Sequence, residues 1–213
     1  MNRRKSTYPK SNSFDTEQTI LDFLTQFGPM SEADKQAVLD SLNMRFYTKG
    51  TTLLREGEVT RHGYFVLKGC VRQYYLVDGE EKTTAFFTEG YPFDNADSLK
   101  NQTPSKYYWA CVEDTTVALC GDENEAFFFQ QFPHLQKVAR LALEGELSKQ
   151  KEMLESYIMA SPEERYLNLM KTRPDLVNRV PQYQLASYLG MTPESLSRIR
   201  RRLSQKYDLI KVN

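Results

Sequence analysis

Gln182-Tyr183-Gln184-Leu185-Ala186-Ser187-Tyr188-Leu189-Gly190-Met191-Thr192-Pro193-Glu194-Ser195-Leu196-Ser197-Arg198-Ile199-Arg200-Arg201-Arg202-Leu203 is the stretch on which the reading of this chain turns. Gln184 to Leu189 suits a short helix, Gly190 permits the left-handed residue of a tight turn, and Thr192 caps a second helix that Pro193 opens. At about 100° per residue, Leu196, Ile199 and Leu203 gather on one side of that helix, with Glu194, Arg198, Arg201, Arg202 and Gln205 broadly opposite. This is the helix-turn-helix plan, in which the apolar stripe docks and the other face stays free. A run of arginines is ordinarily a solvated surface; the preceding helix, the glycine turn and the cap set this one apart. Such a face suits duplex DNA. Arg can donate two hydrogen bonds to guanine O6 and N7, Glu can accept from cytosine N4, and flanking cations neutralise phosphates.

Charge follows the same division. Lys plus Arg equals Asp plus Glu at 28 each, yet from Pro162 onward ten basic residues stand against five acidic ones, a surplus of five that the preceding residues offset. Ser161-Pro162-Glu163-Glu164 restarts a helix in good capping order and sets the boundary of a C-terminal domain over 161–213. Before it, a helical segment from about Pro133 to Tyr157 carries Leu135, Val138, Ala142, Leu147, Leu154 and Ile158 among Glu, Lys and Gln. Its spacing drifts from a strict heptad, which fits either a short seam between two copies or a surface helix on its own domain. It is read here as a dimerisation helix over 133–160.

Upstream the pattern becomes β-rich. Thr51-Thr52-Leu53-Leu54, Tyr64 to Leu67, Val71 to Val77, Thr83 to Phe87 and Tyr107 to Val112 alternate with the turn pairs Lys49-Gly50, Glu56-Gly57, Lys68-Gly69, Asp78-Gly79 and Glu89-Gly90. Short strands at this spacing predict an antiparallel, jelly-roll-like β-roll. Two helices should precede it, one with Ile20, Leu21, Leu24 and Phe27 on one face, the other starting at Ser31 to Asp34 and ending near Leu42. Residues 1–15, rich in Arg, Lys, Ser and Asn, read as a flexible arm. The predicted class is therefore α+β: a sensor domain over 16–132, a long helix and a small helix-turn-helix domain.

Other function classes find little support. Cys70, Cys111 and Cys120 are odd in number and form no CxxC pair, which points to a reducing cytoplasm and no metal knuckle. Met1 to Ser13 has no apolar core, and no apolar run approaches the ~18 residues of a membrane span. An enzyme on a cupin-type barrel needs two or three His with a carboxylate around a metal, whereas His62 and His134 stand far apart in the sequence. No phosphate-binding glycine loop, nucleophile elbow or Cys/His pair is present. The sequence predicts no enzyme, no metal and no cofactor.

Gln184-Leu185-Ala186, Tyr188 to Thr192, Glu194, Leu196 to Ile199 and Leu203 together resemble the helix-turn-helix of the Crp/Fnr family of transcription regulators. Lys49-Gly50, Glu56-Gly57-Glu58, Leu67-Lys68-Gly69 with Val71-Arg72, and Glu89-Gly90 with Phe93 resemble that family's cyclic-nucleotide-binding β-roll in order and spacing. The resemblance runs from about residue 20 to the end. It implies double-stranded DNA as partner, a homodimer, RNA polymerase as a further partner if the protein activates, and no membrane. By position, Thr192 and Ser195 approach phosphates, Glu194 and Arg198 read base edges, and Gln182, Tyr183, Arg201 and Arg202 complete the DNA-binding set. Pro193 stands where many members have a base-contacting Arg, and the short stretch after Leu209-Ile210 leaves little room for a β-hairpin wing.

In cyclic-nucleotide-binding members, a Gly-Glu pair holds the ribose and an Arg grips the phosphate with its forked donors. Here those positions read Asp94-Asn95 and Ser105, with Lys106 beside the latter. A lysine supplies a point charge without the fork, and Asp94 and Asp97 repel an anion. The departures argue against cAMP by the usual route and for a degenerate pocket that takes an unidentified small-molecule effector, if any. Tyr107, Tyr108 and Trp109 read as strand packing before a pocket lining. An iron–sulfur centre lacks its cysteines, and neither His62 nor His134 has the company of a haem ligand. The competing reading is a signalling adaptor that keeps the scaffold and binds protein instead of DNA.

Overall fold

The computed structural model describes residues 13–26, 28–120, 129–130 and 132–211. In chain order these form α1 (Ser13–Thr25), α2 (Glu32–Ser41), β1 (Asn43–Tyr47), β2 (Thr52–Leu54), β3 (Gly63–Lys68), β4 (Val71–Val77), β5 (Glu80–Phe87), β6 (Pro92–Phe93), α3 (Ala96–Asn101), β7 (Tyr108–Cys111) and β8 (Thr115–Cys120). The helices α4 (Pro133–Met159), α5 (Pro162–Thr172), α6 (Pro174–Arg179), α7 (Gln182–Tyr188) and α8 (Pro193–Lys211) follow. Of the arm expected over 1–15, residues 1–12 lie outside the described residues, and the last three open α1. Phe27, expected on the apolar face of α1, also lies outside them.

The strands make two four-stranded sheets, β1-β8-β3-β6 and β2-β7-β4-β5. All pairings recorded in the first sheet are antiparallel, with Tyr64 opposite Leu119 and Phe65 opposite Ala118 between β3 and β8. Turn chemistry explains the folding back of the chain. Each glycine of the five turn pairs sits at positive φ, from 80° at Gly79 to 107° at Gly69. At Gly69 an added Cβ would also run into the backbone of Asp114 and Thr115, so glycine is required there on both counts.

Strand β3 is apolar at every position from Tyr64 to Leu67 because both its faces are covered. Tyr64 and Val66 point between the sheets, into a core with Leu54, Val71, Phe93, Trp109, Cys111 and Val117. Phe65 and Leu67 face the other way, under Ile20 and Leu21 of α1, Val38 of α2 and Leu135 of α4. Trp109 is fully buried, its Nε1–H donating to Gln73 Oε1 at 3.0 Å. It therefore belongs to the core, as the packing reading expects. The N-cap of α2 is Ser31, which forms a reciprocal capping box with Asp34.

Contacts divide the chain into two units. One holds residues 1–73 and 86–148. The other holds 149–213 together with residues 74–85, the far part of the β4–β5 hairpin. Its helices close over a core of Tyr166, Leu169, Leu176, Val180, Leu185, Ala186, Leu189, Leu196, Ile199 and Leu203. Ser161 caps α5 with Pro162 in the first turn, as expected, and also makes a capping box with Glu164.

Candidate functional site

The turn between α7 and α8 is built from backbone hydrogen bonds that only a left-handed residue can close. Gly190 has φ 63°, its N–H donates to Ser187 O at 3.0 Å, and the Met191 N–H donates to Ala186 O at 3.0 Å. This is the paired bonding of a Schellman motif. The Thr192 hydroxyl oxygen then accepts from the Ser195 N–H at 3.2 Å, and the Leu196 N–H donates to Thr192 O at 3.1 Å, starting α8 where the sequence predicts. Thr192 and Ser195 thus stand together at the helix start, their hydroxyls 3.2 Å apart.

Helix α8 is divided as its residue spacing demands. Leu196, Ile199 and Leu203 are 0%, 8% and 6% exposed, whereas Glu194, Arg198, Arg201, Arg202 and Gln205 are exposed. Arg198 leans along its own helix, its Nε–H donating to Glu194 O at 3.4 Å. The Glu194 carboxyl is held below its ordinary pKa by a hydrogen bond from its own backbone, then by Thr192, and less by the charge of Arg198. Arg202 behaves differently from its neighbours: it pairs with Glu163 in the first turn of α5. Gln182 and Tyr183 are exposed at the start of α7, and Gln184, behind them, donates from Nε2 to the Tyr183 hydroxyl at 3.1 Å.

Three supports of this unit carry no signal in the sequence. The Tyr157 hydroxyl, from the last turn of α4, lies against Gly190. The Arg165 guanidinium sits 4.6 Å over the Tyr157 ring. Ser187, on α7, bonds to the backbone of β5 about a hundred positions earlier in the chain. Along α4, Leu143, Leu147, Leu154 and Ile158 are 56%, 69%, 59% and 70% exposed, an apolar row at intervals of four, seven and four residues.

In the β-roll, two of the four residues singled out in the sequence as an effector pocket, Asn95 and Ser105, spend their polar groups within the protein. Asn95 caps α3 through Oδ1, which accepts from the Ser98 N–H at 3.1 Å. The Ser98 hydroxyl oxygen accepts from the Thr60 N–H at 2.9 Å. Ser105 is buried; its hydroxyl donates to Tyr107 O at 2.9 Å, and its backbone exchanges hydrogen bonds with Glu58 and Gly57. Lys106 is exposed, and partial burial of the Asp94 carboxyl raises its pKa, offset in part by a hydrogen bond from the Ala96 N–H. Between the sheets, Phe87 stacks on Phe93 at 4.5 Å and Phe93 on Tyr64 at 5.2 Å, with Trp109 edge-on to both Phe93 and Tyr64. Among the described residues no cluster of His, Cys, Asp and Glu could hold a metal, and no helix is long and apolar enough to cross a membrane.

Residues 44–128 match the family described as the cyclic nucleotide-binding domain. Comparison with curated proteins finds no match. Among solved structures, FixK2 from Bradyrhizobium japonicum is similar at 23% identity and TM-score 0.60, over 78% of this chain and 85% of its own. The c-di-GMP responsive global regulator CLP of Xanthomonas campestris is similar at 17% identity and TM-score 0.61, over 80% and 90%. A CooA variant from Carboxydothermus hydrogenoformans is similar at 18% identity and TM-score 0.61, over 79% of each chain. Residues 44–128 are therefore a cyclic nucleotide-binding domain in fold, and the chain shares its fold with these solved structures.

Proposed function

We propose that this protein is a sequence-specific, DNA-binding transcription regulator that acts as a homodimer, with a sensor whose cyclic-nucleotide pocket is degenerate. One observation carries the reading: the second helix of a helix-turn-helix buries Leu196, Ile199 and Leu203 and leaves Arg198 and Arg201 exposed beside Glu194. That arrangement has the parts base reading needs, a bidentate donor and a carboxylate acceptor on one free face, with Thr192 and Ser195 at the helix start for phosphates. Gln182 and Tyr183 extend the contact from α7. Arg202 reaches a phosphate once it leaves Glu163.

Dimerisation follows from α4, whose exposed Leu143, Leu147, Leu154 and Ile158 would be buried by a second copy of the same helix. Two copies then offer two recognition helices to successive major grooves about 34 Å apart. RNA polymerase would be a partner if the protein activates. On the sensor side, Asn95 and Ser105 already spend their polar groups within the protein. No forked donor stands at the phosphate position, and we therefore assign the β-roll an effector other than cAMP, or none.

The test is a polarisation titration with DNA fragments selected from the host genome, repeated across salt. A DNA binder loses affinity steeply, because each phosphate contact releases condensed counterions. A flat salt dependence would refute the reading and favour an adaptor that binds protein. In a parallel melting experiment cAMP should leave the transition of the β-roll unmoved.

A further inference from the structure

Among the described residues, strand β5 lies at the edge of its sheet, next to β4. An edge strand points the N–H and C=O groups of alternate residues outward, away from the neighbouring strand. Two such groups, Thr83 N–H and Glu81 C=O, meet one atom of the helix-turn-helix. The Ser187 hydroxyl oxygen accepts from Thr83 N–H at 2.9 Å, and its O–H donates to Glu81 O at 3.1 Å. A hydroxyl is the smallest side-chain group that can accept and donate at one point, so Ser187 takes the place of the residue that a further strand would supply. Thr83 is buried, so water is a poor substitute for Ser187 there. The hairpin residues 74–85 accordingly belong to the same compact unit as α7 and α8.

The partner side is stiff. Asp78 and Gly79 close the hairpin with φ 53° and 80°, the left-handed pair that a two-residue turn requires. Lys82 pairs with Glu80 alongside it. On the other side, the backbone carbonyl of Ser187 accepts the Gly190 N–H that closes the turn into α8. A displacement of the hairpin therefore passes through one residue to the turn that aims the arginine face.

We propose that Ser187 is a positioning residue: it stitches the recognition unit to the edge of the β4–β5 hairpin, and the posture of that hairpin sets how α8 is offered to DNA. This rests on the DNA-binding reading above, and the test separates the two. Four full-length proteins are compared: wild type, Ser187→Ala, Ser187→Thr, which keeps the hydroxyl, and Ser187→Val, which has the shape of threonine without it. Amide exchange at Thr83 reads the stitch directly, and polarisation reads affinity for a selected duplex and for random duplex.

With Ala and Val, exchange at Thr83 should speed up by about tenfold or more, as expected when a buried donor loses its acceptor. Affinity for the selected duplex should fall by about tenfold, with random duplex changed less than about twofold. Thr should restore both. Unchanged exchange in Ser187→Ala would overturn the stitch, and faster exchange with unchanged selected-duplex affinity would overturn its positioning role. A wild-type protein that binds neither duplex would overturn the DNA reading, and the positioning role with it, while the exchange data still report whether the stitch exists.

Discussion

Replacing Gly190 with alanine tests the turn that aims the second helix, and its cost can be assembled from two separable parts. The first is backbone strain: at φ 63° a residue with a Cβ pays roughly 1–2 kcal/mol that glycine does not. The second is steric. The new Cβ would collide with the Tyr157 hydroxyl and lie 3.3 Å from an Arg165 terminal nitrogen. The tyrosine is a flexible side chain and can swing away, but only by leaving the Arg165 guanidinium stacked 4.6 Å above its ring, worth about 0.5–1 kcal/mol at an exposed site. The sum is about 1.5–3 kcal/mol.

Tyr157→Phe isolates the second part. It keeps the ring and its stack with Arg165 but removes the colliding oxygen, leaving ring carbon Cζ 3.5 Å from the new Cβ, an ordinary contact. In that background Gly190→Ala should cost only the backbone part, about 1–2 kcal/mol. Urea unfolding followed by far-UV ellipticity reports mainly the helices, and the single tryptophan, Trp109, reports the β-roll separately, so the two units can be followed without assuming one transition. Equal costs in the two backgrounds would refute the contact between α4 and the turn. No cost in either would refute the left-handed turn itself.

Four further outcomes are expected. Arg198→Ala should cost about 1–3 kcal/mol at one position of each half-site, whereas Arg202→Ala should weaken all sequences evenly; Glu163→Gln, which frees Arg202, should raise affinity for random duplex. These are read by polarisation on single-substitution operators. Leu147→Glu with Leu154→Glu should convert the proposed dimer into a monomer in sedimentation, since both side chains lie on the exposed row of α4. The Asp34 carboxyl accepts from the Ser31 hydroxyl and N–H and from His134 Nε2, and in that order these contacts lower its pKa. A lowered folded-state pKa gives stability that is complete above the unfolded aspartate value and is lost as pH falls through the folded one. Acid should therefore loosen α2 in the wild type, seen as faster amide exchange, and Asp34→Asn should flatten that dependence. Ser105→Arg should destabilise the β-roll by roughly 2–4 kcal/mol in Trp109-monitored unfolding, through overpacking and the loss of the Tyr107 hydrogen bond, without creating cAMP affinity.

What was legible in the sequence was whatever depends on one residue's own conformation or on its near neighbours. The glycine turns, the Ser161 and Thr192 caps and the apolar stripe of α8 are local facts, and the structure places them as read. Strands β1 and β6 and helix α6 carried no comparable signal. Among the described residues β1 pairs with β8 at the sheet edge, and its burial does not alternate, so periodicity is silent there. The tertiary partners were illegible for a different reason. Nothing near Ser187 announces Thr83, and nothing near Arg202 announces Glu163 thirty-nine positions away. The sequence showed which arginines face outward but not that one of them is already paired.

The same distinction governs what the family match can mean. The matched range, residues 44–128, holds the parts that make the β-roll fold: the turn glycines at positive φ, and Val66, Val71, Phe93 and Trp109 between the sheets. None of these needs a ligand, because turns and core packing are satisfied within the chain. Ligand chemistry would have to come from a separate set, Asp94, Asn95, Ser105 and Lys106, where Asn95 serves as a helix cap and Ser105 as a buried link to Tyr107. The residues that make the fold and those that would make the pocket are therefore different sets, and the fold does not depend on the pocket. A polar group that has found a protein partner is no longer available to a nucleotide unless that partner is given up, so this domain can keep its shape while answering to another signal, or to none.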